Sequence, residues 1–258
     1  MPGKWQLAAL GAVPALLAMA YFDWLDAKRP EPRRTLRIVA LAGGFMAVPV
    51  LGFGYLLEAV VGNAAPGEGT YAAAAYTSLV VAAIPEEACK LAVVLLLVWR
   101  RPEFDERMDG IVYGARAGLG FALVENVIYL LLMPHNLQEY FALFVGRAVL
   151  AVPGHATWGG IMGYYAARRR FDGRGPGLLG GYLFAVALHG IYDMFLFGAP
   201  VAIAAGHTWL ALGVAGIPVA AYIMPAIVVS IGAVGLRHLA RRAVADDDWA
   251  EQQAARRS

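Results

Sequence analysis

The feature that most constrains this chain is a set of seven apolar stretches, at roughly residues 5–25, 36–61, 71–99, 110–133, 140–166, 177–200 and 207–236. A helix rises ~1.5 Å per residue, so about 20 apolar residues suffice to cross ~30 Å of hydrocarbon, and each stretch reaches that length. The short segments between them hold nearly all the charge. Of the 258 residues, 60% are hydrophobic and 16% charged, against about 45–50% and ~25% in an ordinary soluble domain. So few polar side chains cannot cover a globule of this size unless lipid solvates its exterior. The sequence therefore predicts an all-α, polytopic transmembrane helix bundle of about seven spans and excludes a soluble fold. A net charge of +2 gives no reason to expect a nucleic-acid partner, and the single cysteine, Cys89, cannot form an intramolecular disulfide.

The basic residues orient the spans. Lys28, Arg29, Arg33, Arg34, Arg37, Arg100, Arg101, Arg107, Arg168, Arg169, Arg170, Arg174, Arg237, Arg241, Arg242, Arg256 and Arg257 fall on alternate connections and the tail, 17 of the 21 basic residues. The connections 62–70, 134–139 and 201–206 hold none, and Lys4 alone precedes the first span. Excess Lys and Arg marks the cytoplasmic side, which puts the N-terminus outside and the C-terminus in the cytoplasm. The first span resembles a secretory signal, but its basic flank follows it, so it reads as a retained anchor. One integral membrane domain is expected over 1–240, with its motif-bearing spans in 71–200. A polar cytoplasmic tail, 241–258, is expected as a solvated helix or a disordered end. Kinks are expected at Pro49, Pro85, Pro153, Pro218 and Pro225.

Ionisable side chains at membrane depth are costly, rare and usually functional. This chain places Glu86, Glu87 and Lys90 in the third span, Glu125 and Asn126 in the fourth, Arg147 and His155 in the fifth, and His189 and Asp193 in the sixth. Counted from the nearest cytoplasmic charge at ~1.5 Å per residue, Glu86, Glu125, His155 and His189 lie roughly 20–24 Å deep, at one level in the outer half of the bilayer. Glu86 and Lys90 share a helix face at i,i+4, so Lys90 is expected to neutralise one carboxylate while Glu87 points about 100° away. His189 and Asp193 are spaced likewise, so the carboxylate can fix the imidazole tautomer or join it on a metal. Gly110, Gly114 and Gly118, with Gly159 and Gly163, form ridges that allow close helix approach. Arg147 is expected to snorkel or to pair with Asp193, and Arg116 and Glu58 to be interfacial. His135, His207 and His238 are expected to be solvated, and Cys89 to be a packing residue.

In order, Pro85-Glu86-Glu87-x-x-Lys90, Asp109-Gly110 with Tyr113-Gly114, Gly118-x-Gly120-Phe121-x-x-x-Glu125-Asn126, Gly146-Arg147 leading to His155, and His189-Gly190-x-Tyr192-Asp193 resemble the motifs of the PrsW family of intramembrane proteases. The resemblance covers about residues 84–193. More distantly it extends to the CAAX prenyl proteases and Abi-type membrane proteins, from which Lys90, Glu125 and Asp193 depart. It implies proteolysis of a membrane-anchored protein, in the best-known case an anti-sigma factor cut on the extracytoplasmic side. It also implies that Glu86, Glu87 and His155 are essential, and that Glu125, His189 and Asp193 match the other motif positions.

The chemistry expected is peptide-bond hydrolysis by activated water. Glu86 or Glu87 would be the base, His155 and His189 would polarise the carbonyl, and Asn126 is a candidate donor to the oxyanion. Lys90, Glu125, Arg147 and Asp193 complete the supporting set. Two readings of the cofactor stay open: a divalent metal such as zinc, with His155, His189, Glu125 and Asp193 as candidate ligands, or none. The partners expected are a single-span membrane protein substrate and the lipid bilayer of a bacterial plasma membrane. Carboxylates and histidines in a bundle also make proton relays, so a proton-coupled transporter is the rival reading and a non-catalytic membrane scaffold a third.

Overall fold

Proline lacks a backbone donor and its ring clashes with the carbonyl four residues earlier, and that geometry decides where several of these helices break. The structure is a computed structural model that describes residues 4–133, 136–214 and 217–256. His135 and Arg257 lie outside the described residues. Helix α1 (Lys4–Leu10) stops at Leu10, four before Pro14, and the chain resumes as α2 (Val13–Leu25). Helix α3 (Arg33–Phe45) stops at Phe45, four before Pro49, and continues past Met46 as α4 (Ala47–Val61). Helix α5 (Tyr71–Tyr76) passes through a π-helical segment, Thr77–Ala83, into α6 (Ile84–Leu97). That segment contains Val81, four before Pro85. Helix α7 (Arg107–Leu132) is continuous. Helix α8 (Leu137–Gly146) passes through a second π segment, Arg147–Ala151, into α9 (Val152–Asp172). It contains Val149, four before Pro153. Helices α10 (Gly177–Ala204) and α11 (Val219–Ala255) complete the chain.

The structure is therefore all-helical, with no strand among the described residues. Five helical stretches are long and apolar enough to cross a membrane: Ala8–Leu25, Arg33–Val61, Arg107–Leu132, Gly177–Ala204 and Val219–Ala255. The stretches 71–97 and 137–172 reach comparable length when followed through their π segments. The last stretch departs from expectation: Thr208–Ala211 forms a 3₁₀ turn, and the long helix starts only at Val219, after Pro218. Pro225 lies within α11, which continues through it. Large apolar side chains such as Leu17, Leu41, Phe45, Leu96, Ile231 and Val234 cover the outside, a surface that lipid solvates and water would not.

Helix α7 is the axis of the bundle, packed chiefly on α9, α3 and α2. A side chain at Gly110, Gly114 or Gly118 would run into the carbonyl of Gly163, Gly159 or His155, respectively. The backbones of α7 and α9 therefore touch, as the glycine spacing implied. On the other side of α7, Gly43 lies against Ala117 and Gly120 against the Ala40 carbonyl, which seats α3.

The basic end of the bundle is tied by ion pairs. Asp247 of α11 accepts from the backbone N–H groups of Arg107 and Met108, each at 3.1 Å, and from the Arg107 guanidinium at 2.6 Å. It thus meets the α7 N-terminus, where a negative charge is favoured. Arg107 also pairs with Asp172 of α9. Residues 241–255, expected as a solvated helix or a disordered end, are helical and extend α11, with Asp247 and Ala243 buried. Arg116, expected to be interfacial, is buried and paired with Asp23 of α2, because α2 packs along this end of α7.

Beside this network Asp26 is buried, and loss of solvent, reinforced by Asp109 and Asp23, pushes its carboxyl up to about 7 from an ordinary 3.8. The folded protein therefore holds an extra proton between those pH values, and this contribution to stability is lost as pH rises through 7. Asp26→Asn, whose carbonyl still accepts from the Glu31 N–H, should flatten the fall in detergent melting temperature between pH 5 and pH 8; an unchanged slope would contradict the assignment. Gly114→Leu should abolish the folded species seen by size-exclusion chromatography. Gly52→Leu should not, because a side chain at Gly52 meets nothing within 4 Å.

Candidate active site

The helix contacts around α7 bring the predicted polar residues together. Pro85 starts α6 directly after the first π segment, and the next turn carries Glu86, Glu87 and Lys90 into the bundle. The Lys90 ammonium is fully buried and donates to Glu87 Oε1 at 2.7 Å and Glu86 Oε2 at 3.4 Å. It also lies 2.8 Å from His155 Nδ1 and 4.7 Å from the centre of the Phe121 ring. Both glutamates therefore share this cation, and the nearer is Glu87. The expectation that Glu87 would diverge fails because the long lysine side chain bridges the 100° between them.

An ammonium facing Nδ1 assigns the proton of a neutral His155 ring to Nε2, which faces Glu125 Oε2 at 2.9 Å. That oxygen also accepts from Arg147 Nη2 at 2.5 Å. Arg147 thus pairs with Glu125, not Asp193, and its Nε donates to Asn126 Oδ1 at 2.6 Å. Arg147 is the first residue of the second π segment. Asn126 Nδ2 donates to the Gly11 carbonyl at 3.2 Å. The amide that was a candidate oxyanion donor is therefore engaged at both ends, tying α7 to the junction between α1 and α2 and to Arg147.

His189 lies 2.8 Å from Glu87 Oε1 by Nδ1 and 3.2 Å from Asp193 Oδ2 by Nε2. Each ring nitrogen thus has a carboxylate acceptor, and Asp193 fixes the ring as the i,i+4 spacing predicted. Glu86 Oε2 stands 3.9 Å from His189 Nε2 and 4.0 Å from His155 Nδ1. The Trp158 indole is buried, stacks on His189 with ring centres 4.2 Å apart and meets His155 edge-on at 5.3 Å. Sequence reading passed over Trp158; its place three residues after His155 puts it on the same helix face, which was the available signal. Tyr129, under the Arg147 guanidinium at 4.2 Å, was missed too and sits four residues after Glu125.

The two glutamates differ in access. Glu86, Glu125, His155, His189, Asp193 and Arg147 line one cavity of about 350 Å³. Glu86 and Glu125 also line a second cavity, of about 740 Å³. Glu87 lines neither and is fully buried, with Oε2 lacking a hydrogen-bond partner among the described residues.

Donor chemistry fits a divalent cation. Four carboxylates against the fixed charges of Lys90 and Arg147 leave an excess of two negative charges, which one dication or two imidazolium protons would balance. Donor atoms of Glu86, Glu125 and His155 lie within 4.8 Å of one another, as do those of Glu86, Glu87 and His189. His155 and His189 thus fall in different groups, Asp193 is in neither, and Glu86, which sequence reading treated only as a base, is common to both.

Removing Lys90 while keeping the glutamates strands buried charge, at a cost of about 3–5 kcal/mol. Lys90→Met should therefore unfold the protein at markedly lower temperature in detergent, and adding Glu87→Gln should recover more than half of the loss. Equal losses in the single and double variants would contradict the pairing.

A family model described as PrsW family intramembrane metalloprotease matches residues 31–231. Protease PrsW of Geobacillus kaustophilus is 34% identical over 192 residues, covering 74% of this chain and 79% of that protein. Protease PrsW of Clostridioides difficile is 33% identical over 199 residues, with 75% and 80% covered. The Bacillus subtilis protein of the same name is 31% identical over 193 residues, with 74% and 82% covered. No solved structure matches.

Proposed function

Because the chain belongs to the PrsW family of intramembrane proteases, we propose that it hydrolyses a peptide bond of a single-span, membrane-anchored protein, such as an anti-sigma factor, in the outer half of a bacterial plasma membrane. The observation that carries this reading is the convergence of Glu86, His155 and His189 on one buried cavity. The alternating basic connections support seven spans with the N-terminus outside, and that topology puts the cavity toward the outer leaflet.

Glu86 is the general base, since it alone of the adjacent glutamates reaches the cavity. It takes a proton from water as the water oxygen bonds to the substrate carbonyl carbon, and returns it to the amide nitrogen as the C–N bond breaks. Glu87 is a positioning residue that holds Lys90 and His189. His155 and His189, whose ring nitrogens are held by Lys90 and Glu125 and by Glu87 and Asp193, would polarise the substrate carbonyl once its oxygen displaces one of those partners. Arg147 fixes Glu125, and Glu125 orients His155. A divalent metal such as zinc would instead take Glu86 as a ligand together with Glu125 and His155, and when bound would act as a Lewis acid that lowers the pKa of its water, supplying the activation that Glu86 gives as a base without it.

Reconstitution with a single-span substrate tests this reading. Wild-type protein should cleave, and Glu86→Ala, Glu87→Ala and His155→Ala variants with unchanged gel-filtration profiles should each lose at least a hundredfold in rate. Substrate binding without cleavage would instead favour the scaffold, and proton flux without cleavage the transporter. Metal content measured on the same preparation, with activity before and after chelation, separates the cofactor readings; full activity in metal-free protein would contradict the zinc version.

A further inference from the structure

Helix α4 is loosely held for its length, with one buried residue in 15. Helix α3, to which it is joined, is locked on α7 through Gly43 and Gly120. The junction at Met46 then loses the backbone hydrogen bond that Pro49 cannot donate to Phe45, which makes it a hinge. Beyond it, Ala47 alone of the described α4 residues is buried. Behind α4 lies the cavity of about 740 Å³, walled by α4, the first π segment and α7. It runs from Glu58 and Glu68 at one end to Glu86 and Glu125 at the other. Ala82, Tyr129 and Phe197 also line the cavity of about 350 Å³. Glu86 therefore stands where two chambers meet, with room for chain on either side of a bond placed over it.

Resting on the protease reading above, we propose that α4 is the gate through which the substrate's transmembrane segment enters from the lipid, and that the chamber behind α4 holds that segment with its scissile bond over Glu86. The occupant follows from continuity: the chamber is apolar along α4, borders lipid, and ends on the catalytic carboxylate. Its outer mouth carries Glu58 and Glu68, and segment 62–70 has no Lys or Arg. This favours substrates whose outer flank is basic, since complementary charge steers association. The π segment Thr77–Ala83 forms the facing wall, and local unwinding of this kind recurs at functional sites.

A disulfide across the gate tests this directly. A side-chain carbon at Gly54 would sit 3.8 Å from Val81 Cγ1, so Gly54→Cys with Val81→Cys, in a Cys89→Ala background, can join α4 to the π segment. The full chain is reconstituted in liposomes with two probes: a model protein of one apolar span of about 20 residues with three lysines on its outer flank, and a short water-soluble peptide containing the same scissile stretch. Oxidation should lower the ratio of spanning-probe to peptide cleavage at least tenfold and be reversed by dithiothreitol. Unchanged cleavage of the spanning probe after complete oxidation would overturn the proposal. So would an equal loss of cleavage of the two probes on oxidation, since α4 would then belong to the active site rather than gate it. If the reduced pair and its parent cleave neither probe, the protease reading itself fails. Gly54→Phe gives an independent check: by filling the chamber it should lower the ratio of spanning-probe to peptide cleavage about tenfold, and an unchanged ratio would count against the gate.

Discussion

An ammonium group with no access to solvent organises the middle of this bundle. Lys90 sits among two glutamates, an imidazole and two aromatic rings, and each neighbour depends on it. Charges taken out of water are costly unless paired and fully hydrogen-bonded. Glu86 and Glu87 could not both occupy one turn of a buried helix without that cation. Through Glu87 the same contact reaches His189 on α10, and through His155 it reaches Glu125 and Arg147. One side chain thereby couples α6, α7, α9 and α10. The coupling is possible only because glycines let α7 and α9 meet backbone to backbone, which brings His155 within reach of Glu125.

That arrangement gives two chemically identical side chains different surroundings. Glu87 is enclosed and fastened, whereas Glu86 borders both cavities. Trp158 and Phe121 set buried aromatic rings against His189, His155 and Lys90. At the basic end of the bundle a separate set, Arg107 with Asp172 and Asp247, fastens α7, α9 and α11. The bundle is therefore fastened at its basic end by one ion-pair set and at its middle by the cluster's own contacts.

Much of this was legible in the sequence because membrane spans leave few places for charge. The level shared by Glu86, Glu125, His155 and His189 came from helix rise alone, the His189–Asp193 contact from i,i+4 spacing, and the α7–α9 approach from glycines four apart. The features that escaped are non-local or depend on side-chain length. Which carboxylate faces the cavity depends on where α10 puts His189. The partner of Arg147 depends on a π segment that turns the helix face, and the burial of Arg116 on the packing of α2. The late start of α11 follows from Pro218, which was read as a kink within a span and instead precedes the helix.

The central claim is that this buried cluster cuts a polypeptide at its own depth in the membrane. Mass spectrometry of both product termini, after cleavage of reconstituted single-span substrates whose apolar stretch is shifted stepwise across the bilayer, measures that depth directly. The account predicts a scissile bond that stays in the outer half of the bilayer, tracks depth as the sequence is shifted, and is absent with Glu86→Gln protein. Cleavage in the cytoplasmic half, or at a fixed sequence regardless of depth, would contradict it.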